Sequence, residues 1–144
     1  MKIYLAGKMS GLTIEEMSGW RTKATEMLHN RDDMIRVENP CSYYNFQNAL
    51  DMKASDSEIR NFDLWLVRNC DVILVNLDYK GSIGTAIELF EAHEHCRTPV
   101  IAYRTTPDAD HPWIECSVTR MCSSLEEAIE YIMTFIYPNA RRTR

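Results

Sequence analysis

The stretch GSIGTAIELF, Gly81 to Phe90, places one carboxylate, Glu88, about one turn into a helix that follows a loop of small residues. Two readings are open from the residues alone. An acid near the start of a helix is favoured by the helix dipole whatever the protein does. A lone carboxylate at such a place can equally be the reacting group of an active site. Two loops can supply the rest of a site: GKMSGL (Gly7–Leu12) and DYKGSIGT (Asp78–Thr85). Both lead into helices, so free backbone N–H groups and the helix dipole face an anion together. The candidate anion-binding residues are Gly7, Lys8, Ser10, Gly11, Ser82 and Gly84. Neither loop matches a Walker A or GxGxxG pattern, which leaves an ATP or dinucleotide site unsupported. Taken singly, each is also an ordinary turn.

Three other stretches carry reactive or aromatic side chains. The HEH triplet at His93–His95 beside Cys96 sets its histidines two residues apart, on different faces of a helix, which argues against one shared ion. No metal and no cofactor are expected. His111 and Trp113, in DADHPWIE, belong to a polar connection that either closes over a pocket or is a plain surface loop. The aromatics of CSYYNF (Cys41–Phe46) can stack on a planar base or pack their own loop down.

Composition bounds these possibilities. A chain of 144 residues with 45% hydrophobic and 26% charged residues is of ordinary globular type, one domain in size. Its net charge of −5 argues against a broad surface for a nucleic-acid polymer, but not against a small phosphorylated ligand held by a local nest of donors. The terminal RRTR is the one basic run and reads as a solvated tail. Cys41, Cys70, Cys96, Cys116 and Cys122 form an odd set without CxxC spacing, which suits reduced thiols better than a disulfide framework or a zinc knuckle. No run approaches a membrane span, and the opening MKIYLAG lacks a long apolar stretch or a cleavage site. A cytoplasmic protein without a membrane partner is expected.

The elements that must position these residues alternate. KIYLA (Lys2–Ala6), MIRVE (Met34–Glu38), DVILVNL (Asp71–Leu77) and PVIAY (Pro99–Tyr103) have strand character, and a short fifth strand is placed near Val118–Met121. The third is apolar at successive positions, as in a parallel strand covered on both faces. Helices open with Thr13 and Glu16, Ser55 and Glu58, and Ser124 and Glu127, each a Ser/Thr-x-x-Glu capping signature. They are expected to run to about Asn30, Asn69 and Tyr137, with Pro138 as the stop. The helix holding Glu88 should span about Gly84 to His95. This order implies an α/β fold: a doubly wound, five-stranded parallel sheet, order 2-1-3-4-5, with helices on both faces. The expected domain is 1–137, with 138–144 as a C-terminal tail. Ligands of such sheets sit at the carboxyl ends of the strands where strand order reverses. That switch lies between the first strand and the Asp71–Leu77 strand, and it brings the two glycine-containing loops together. The convergence favours a functional Glu88.

KIYLAG at the start, FDLWLVRNCDVILVNL in the middle and SIGTAIEL after it resemble the nucleoside 2-deoxyribosyltransferase family, which includes nucleoside 5′-monophosphate N-glycosidases. The resemblance runs from Lys2 to about Tyr131 and is strongest over Phe62–Leu89; PWIE and the SLEEAIEYI helix also fit. It implies that Glu88 is the nucleophile attacking the anomeric carbon of a sugar, as in a retaining glycosidase. It implies that Tyr4 hydrogen-bonds that carboxylate. Asp63, eight residues before the strand-opening Asp71, would hold a sugar hydroxyl or help protonate the leaving base.

Two departures bear on the reaction. Where the transferases carry an aspartate near the sugar 5′ end, six residues before the glutamate, this chain has Ser82, as the N-glycosidases do. A serine donates to a phosphate that a carboxylate would repel. The transferases also use a C-terminal tyrosine, whereas this chain ends in Arg144. The resulting expectation is cleavage of the N-glycosidic bond of a (deoxy)nucleoside 5′-monophosphate, with a nucleoside or nucleotide as partner. The family's habit implies a homodimer or larger homo-oligomer. The alternatives are a base-exchanging nucleoside 2-deoxyribosyltransferase and a non-catalytic nucleotide-binding module. The cytokinin-activating phosphoribohydrolases, with their GGxGTxxE element, rank lower because GSIGTAIE lacks the doubled glycine.

Overall fold

A computed structural model describes residues 1–44 and 54–142. Asn45 and Phe46 of the aromatic stretch, and Thr143 and Arg144 of the terminal basic run, lie outside the described residues. Five strands form one parallel sheet: β1 (Lys2–Gly7), β2 (Arg36–Glu38), β3 (Val72–Asn76), β4 (Val100–Tyr103) and β5 (Arg120–Cys122). Their order is β2-β1-β3-β4-β5, as the alternation implies. The chain leaves β1 toward one edge and returns on its other side, pairing Tyr4 with Ile73 and Gly7 with Asn76.

The helices are α1 (Ile14–Arg31), α2 (Asp56–Arg68), α3 (Ile83–Phe90), α4 (Pro112–Cys116), α5 (Leu125–Tyr131) and α6 (Tyr137–Arg142). At α1 and α2 the capping boxes form in full, Thr13 with Glu16 and Ser55 with Glu58. At α5 the device is offset. Ser124 accepts from the Glu127 N–H, but the Glu127 carboxylate turns to the N–H and hydroxyl of Ser123, both at 2.7 Å. The helix holding Glu88 continues through π turns, Glu91–Cys96. Pro138 does not end the last helix: π turns over Ile132–Ile136 lead into α6, whose second residue is that proline. The wider π turn relieves the clash between a proline ring and the carbonyl one turn back, which would otherwise break the helix.

Strand alternation sorts the core into two layers. Ile3, Leu5, Val72, Leu74, Ile101 and Tyr103 pack beneath α1 and α5 through Ala24, Leu28, Leu125 and Ile129. Tyr4, Ala6, Ile73, Val75, Val100 and Ala102 face the opposite way, against Leu66, Val67, Leu89 and Ile114. The sheet is therefore buried on both faces, and its polar opening is left at the strand ends. Tyr4 is a polar exception in the second layer. No helix among the described residues is long and apolar enough to cross a membrane.

Candidate active site

The β1–α1 and β3–α3 connections meet at the switch point around a cleft of about 300 Å³. Gly7, Lys8, Ser10, Ser82, Gly84, Asp63 and Glu88 all line it. Gly11 is not in the lining; it turns the chain at φ +78° on the exposed side of its loop. Each wall has a local reason for its shape. A Cβ on Gly7 would meet the Trp20 ring at 3.1 Å, so any side chain there would have to push that ring aside as the chain leaves β1. Gly81 takes φ +72°, a left-handed turn that delivers Ser82 to the start of α3. There the Ser82 hydroxyl oxygen accepts from the Thr85 N–H at 3.2 Å and the Thr85 hydroxyl at 2.8 Å. Its own hydrogen remains available to donate. Lys8 reaches across and donates to the Lys80 carbonyl at 3.0 Å, joining the two loops.

Glu88 is the sixth residue of α3, beyond the first turn, which holds no acid. The dipole that explains a first-turn carboxylate therefore does little for it. Instead it receives the Tyr4 hydroxyl on Oε1 at 2.7 Å, from a tyrosine with no solvent exposure. Burial raises the Glu88 carboxyl to about 7; the negative Asp63 adds to the rise, and the Tyr4 hydrogen bond and Arg21 oppose it. The Tyr4 hydroxyl is raised well above its ordinary range, first by burial and then by Glu88, so it stays protonated and donates. Asp63, on α2 and 9% exposed, is raised to about 6 by burial, against the pull of Tyr44 and Arg21. Tyr44 donates to Asp63 Oδ1 at 3.0 Å. Two carboxyls thus share one cleft with titrations displaced toward neutrality, the condition under which a carboxyl can exchange a proton.

Tyr44 belongs to the CSYYNF aromatics offered as a base platform or loop packing; its hydroxyl instead holds Asp63, a role that nothing in its sequence neighbourhood distinguishes from Tyr43. Two participants are not marked among the candidates. Thr85 braces Ser82. Arg21 had a legible signal: Met17, Arg21, Ala24 and Leu28 are the buried stripe of α1 at helical spacing, and an arginine on that stripe is out of place.

Other candidates fall elsewhere. His95 pairs with Glu91 at 2.7 Å and His93 with Glu94 at 2.9 Å. His111 caps α4 by accepting from the Trp113 N–H. His111 and Trp113 border an apolar groove of about 490 Å³ with Ile87 and Phe90, which adjoins the cleft through Gly81, Ser82 and Ile83.

Fold and cleft define a doubly wound α/β protein with a carboxylate-floored site at its switch point. Residues 1–102 match the model of a domain of unknown function, DUF4406, and the chain belongs to that family. No curated protein matches it. Among solved structures, a conserved protein from Enterococcus faecalis V583 superimposes with a TM-score of 0.79 at 20% identity, covering 92% of this chain and 96% of its own. A 2-deoxyribosyltransferase from Bacillus psychrosaccharolyticus gives 0.71 at 20% identity, with 95% of each chain covered. A CMP N-glycosidase from Clostridium botulinum gives 0.61 at 13% identity, covering 94% of this chain and 99% of that one. At these identities the likeness is one of fold.

Proposed function

We propose that this chain is an enzyme that cleaves the N-glycosidic bond of a nucleoside 5′-monophosphate, with Glu88 as nucleophile. The observation that carries the reading is the Tyr4–Glu88 hydrogen bond on the floor of a cleft walled by two anion-ready loops. The substrate's C1′ would face Glu88. The ionised carboxylate bonds to C1′ as the C1′–N bond breaks and its electron pair leaves with the base. Asp63, raised to about 6, retains a fraction of its proton near neutrality and passes it to the departing nitrogen. Water then adds to C1′ of the glycosyl ester, its proton returning to Asp63, and Glu88 is released as carboxylate. Tyr4 orients the attacking oxygen. Ser82, Lys8 and the loop N–H groups hold the 5′-phosphate by charge-assisted hydrogen bonds. The reaction needs no metal or other cofactor.

The fold-level relatives include both a deoxyribosyltransferase and a nucleotide N-glycosidase, and the two activities share this first half-reaction. The test is release of free base from a panel of nucleoside 5′-monophosphates, with and without a second free base. Release without acceptor supports hydrolysis. Exchange only when acceptor is present assigns the transferase, and binding without either reaction assigns a non-catalytic module.

A further inference from the structure

Arg21 is the largest side chain with no solvent exposure at all. Its guanidinium donates through Nε to the Leu5 carbonyl at 3.2 Å, through Nη2 to the Gly7 carbonyl at 2.8 Å, and through Nη1 to the Met17 carbonyl. It lies over the Trp20 ring, 4.6 Å from the centroid. Among the described residues no carboxylate forms an ion pair with it. Taking a guanidinium out of water is expensive even when carbonyls receive its protons, and a methionine or leucine would fill the same stripe of α1 without that penalty. The arginine is also part of the cleft lining.

Its charge acts on groups of several surrounding elements: Tyr4 of β1, Glu88 of α3, Asp63 of α2, Cys41 of the turn after β2 and Tyr103 of β4. Burial raises Tyr4, Cys41 and Tyr103, so these three stay neutral near pH 7. Among the described residues of this set, Glu88 and Asp63 are the ones that can carry charge opposite the arginine. Lys8, the other cation of the cleft, is engaged on the Lys80 carbonyl.

We propose that Arg21 is a positioning residue for this cleft: its fork fixes the exit of β1 through Leu5 and Gly7, and it sets a buried positive charge in the lining that Glu88 and Asp63 share. The inference rests on the glycosidase reading only for its kinetic readout. An opposite charge nearby lowers a carboxyl, as burial raises it. Arg21 therefore adds to the larger effect of the Tyr4 hydrogen bond in favouring the ionised form of Glu88 against burial.

The test compares Arg21→Lys, Arg21→Gln and Arg21→Met, the last keeping an apolar stem on the α1 stripe. Two quantities are measured: the acidic limb of kcat/KM against pH for base release, and the titration of the Glu88 carboxyl by ¹³C NMR in substrate-free protein. Both neutral variants should move the limb and the titration upward by about one pH unit, with Arg21→Lys near the unaltered protein. Below the limb that shift lowers kcat/KM about tenfold, with a smaller loss at pH 8.5. A folded neutral variant whose Glu88 titrates where it did before overturns the proposal, however much activity it has lost. A lysine variant displaced as far as the neutral ones overturns it too. If the unaltered protein releases no base from any nucleotide, the glycosidase reading falls, while the NMR titration still decides the role of Arg21.

Discussion

At the start of α1, Glu16 turns back to take the N–H and hydroxyl of Thr13, at 2.8 and 2.9 Å. At the start of α3, the corresponding third position is Thr85, and the acid comes three residues later, at Glu88, where no cap donor is within reach. Both helices follow a glycine-containing loop at the carboxyl end of adjacent strands, and both open on a hydroxyl cap. The exposed Glu16 is drawn below its ordinary range by the Thr13 backbone and hydroxyl. Glu88 is driven up to about 7 by burial. A displacement of one helical turn carries a carboxyl from the solvated rim onto the cleft floor. The first position stabilises a helix; the second holds a charge that the fold disfavours.

The sharpest way to break the contrast is Glu88→Gln. The amide can still accept from Tyr4, so the fold should persist, while turnover of a nucleoside 5′-monophosphate should fall at least about a hundredfold. Near-normal base release by the folded variant would reduce Glu88 to the standing of Glu16.

Ser82 sharpens the comparison from the loop side. Ser82→Asp would still cap α3 but would set a carboxylate against a phosphate. The preference in kcat/KM for nucleotide over nucleoside should drop about ten- to a hundredfold, with the bare nucleoside less affected. Equal use of both substrates by the unaltered protein would remove the phosphate from the reading.

Stability against pH separates the two glutamates without any substrate. Glu88 titrates near 7 when folded and near 4.5 ordinarily, so between these values the folded state binds more protons than the unfolded one. Stability must then fall as pH rises through that window. Asp63, raised to about 6, acts with the same sign. Glu88→Gln should therefore gain Tm relative to the unaltered protein on going from pH 5 to pH 8. Parallel melting curves at both pH values would show that Glu88 carries no such burden.

The smallest effect belongs to the cap itself. Thr13→Ala should lower Tm by about 3 °C, the scale of one lost N-cap in a chain of this size, and leave kcat/KM within about twofold. A large activity loss would mean that the α1 cap also shapes the Gly7–Leu12 loop of the cleft.

Much of this was legible in local chemistry. Capping pairs mark where α1 and α2 begin because the bonded groups lie three residues apart. The unbroken apolar run of β3 declares a strand covered on both faces, and alternation along β1 already separates Ile3 and Leu5 from Tyr4 and Ala6. Strand order and the meeting of two loops at the switch point follow from the handedness of parallel crossovers. Tyr4 and Asp63 are candidates only through the family resemblance. Tertiary structure decided the rest. Tyr4 meets Glu88 across 84 positions of sequence, Tyr44 finds Asp63 across 19, and Arg21 lines the same cleft as both carboxyls. Periodicity tells which face a side chain takes, because that depends on its own neighbours. Burial and the charges that shift a carboxyl depend on what the folded chain brings to the far side of the cleft, and no local spacing encodes that.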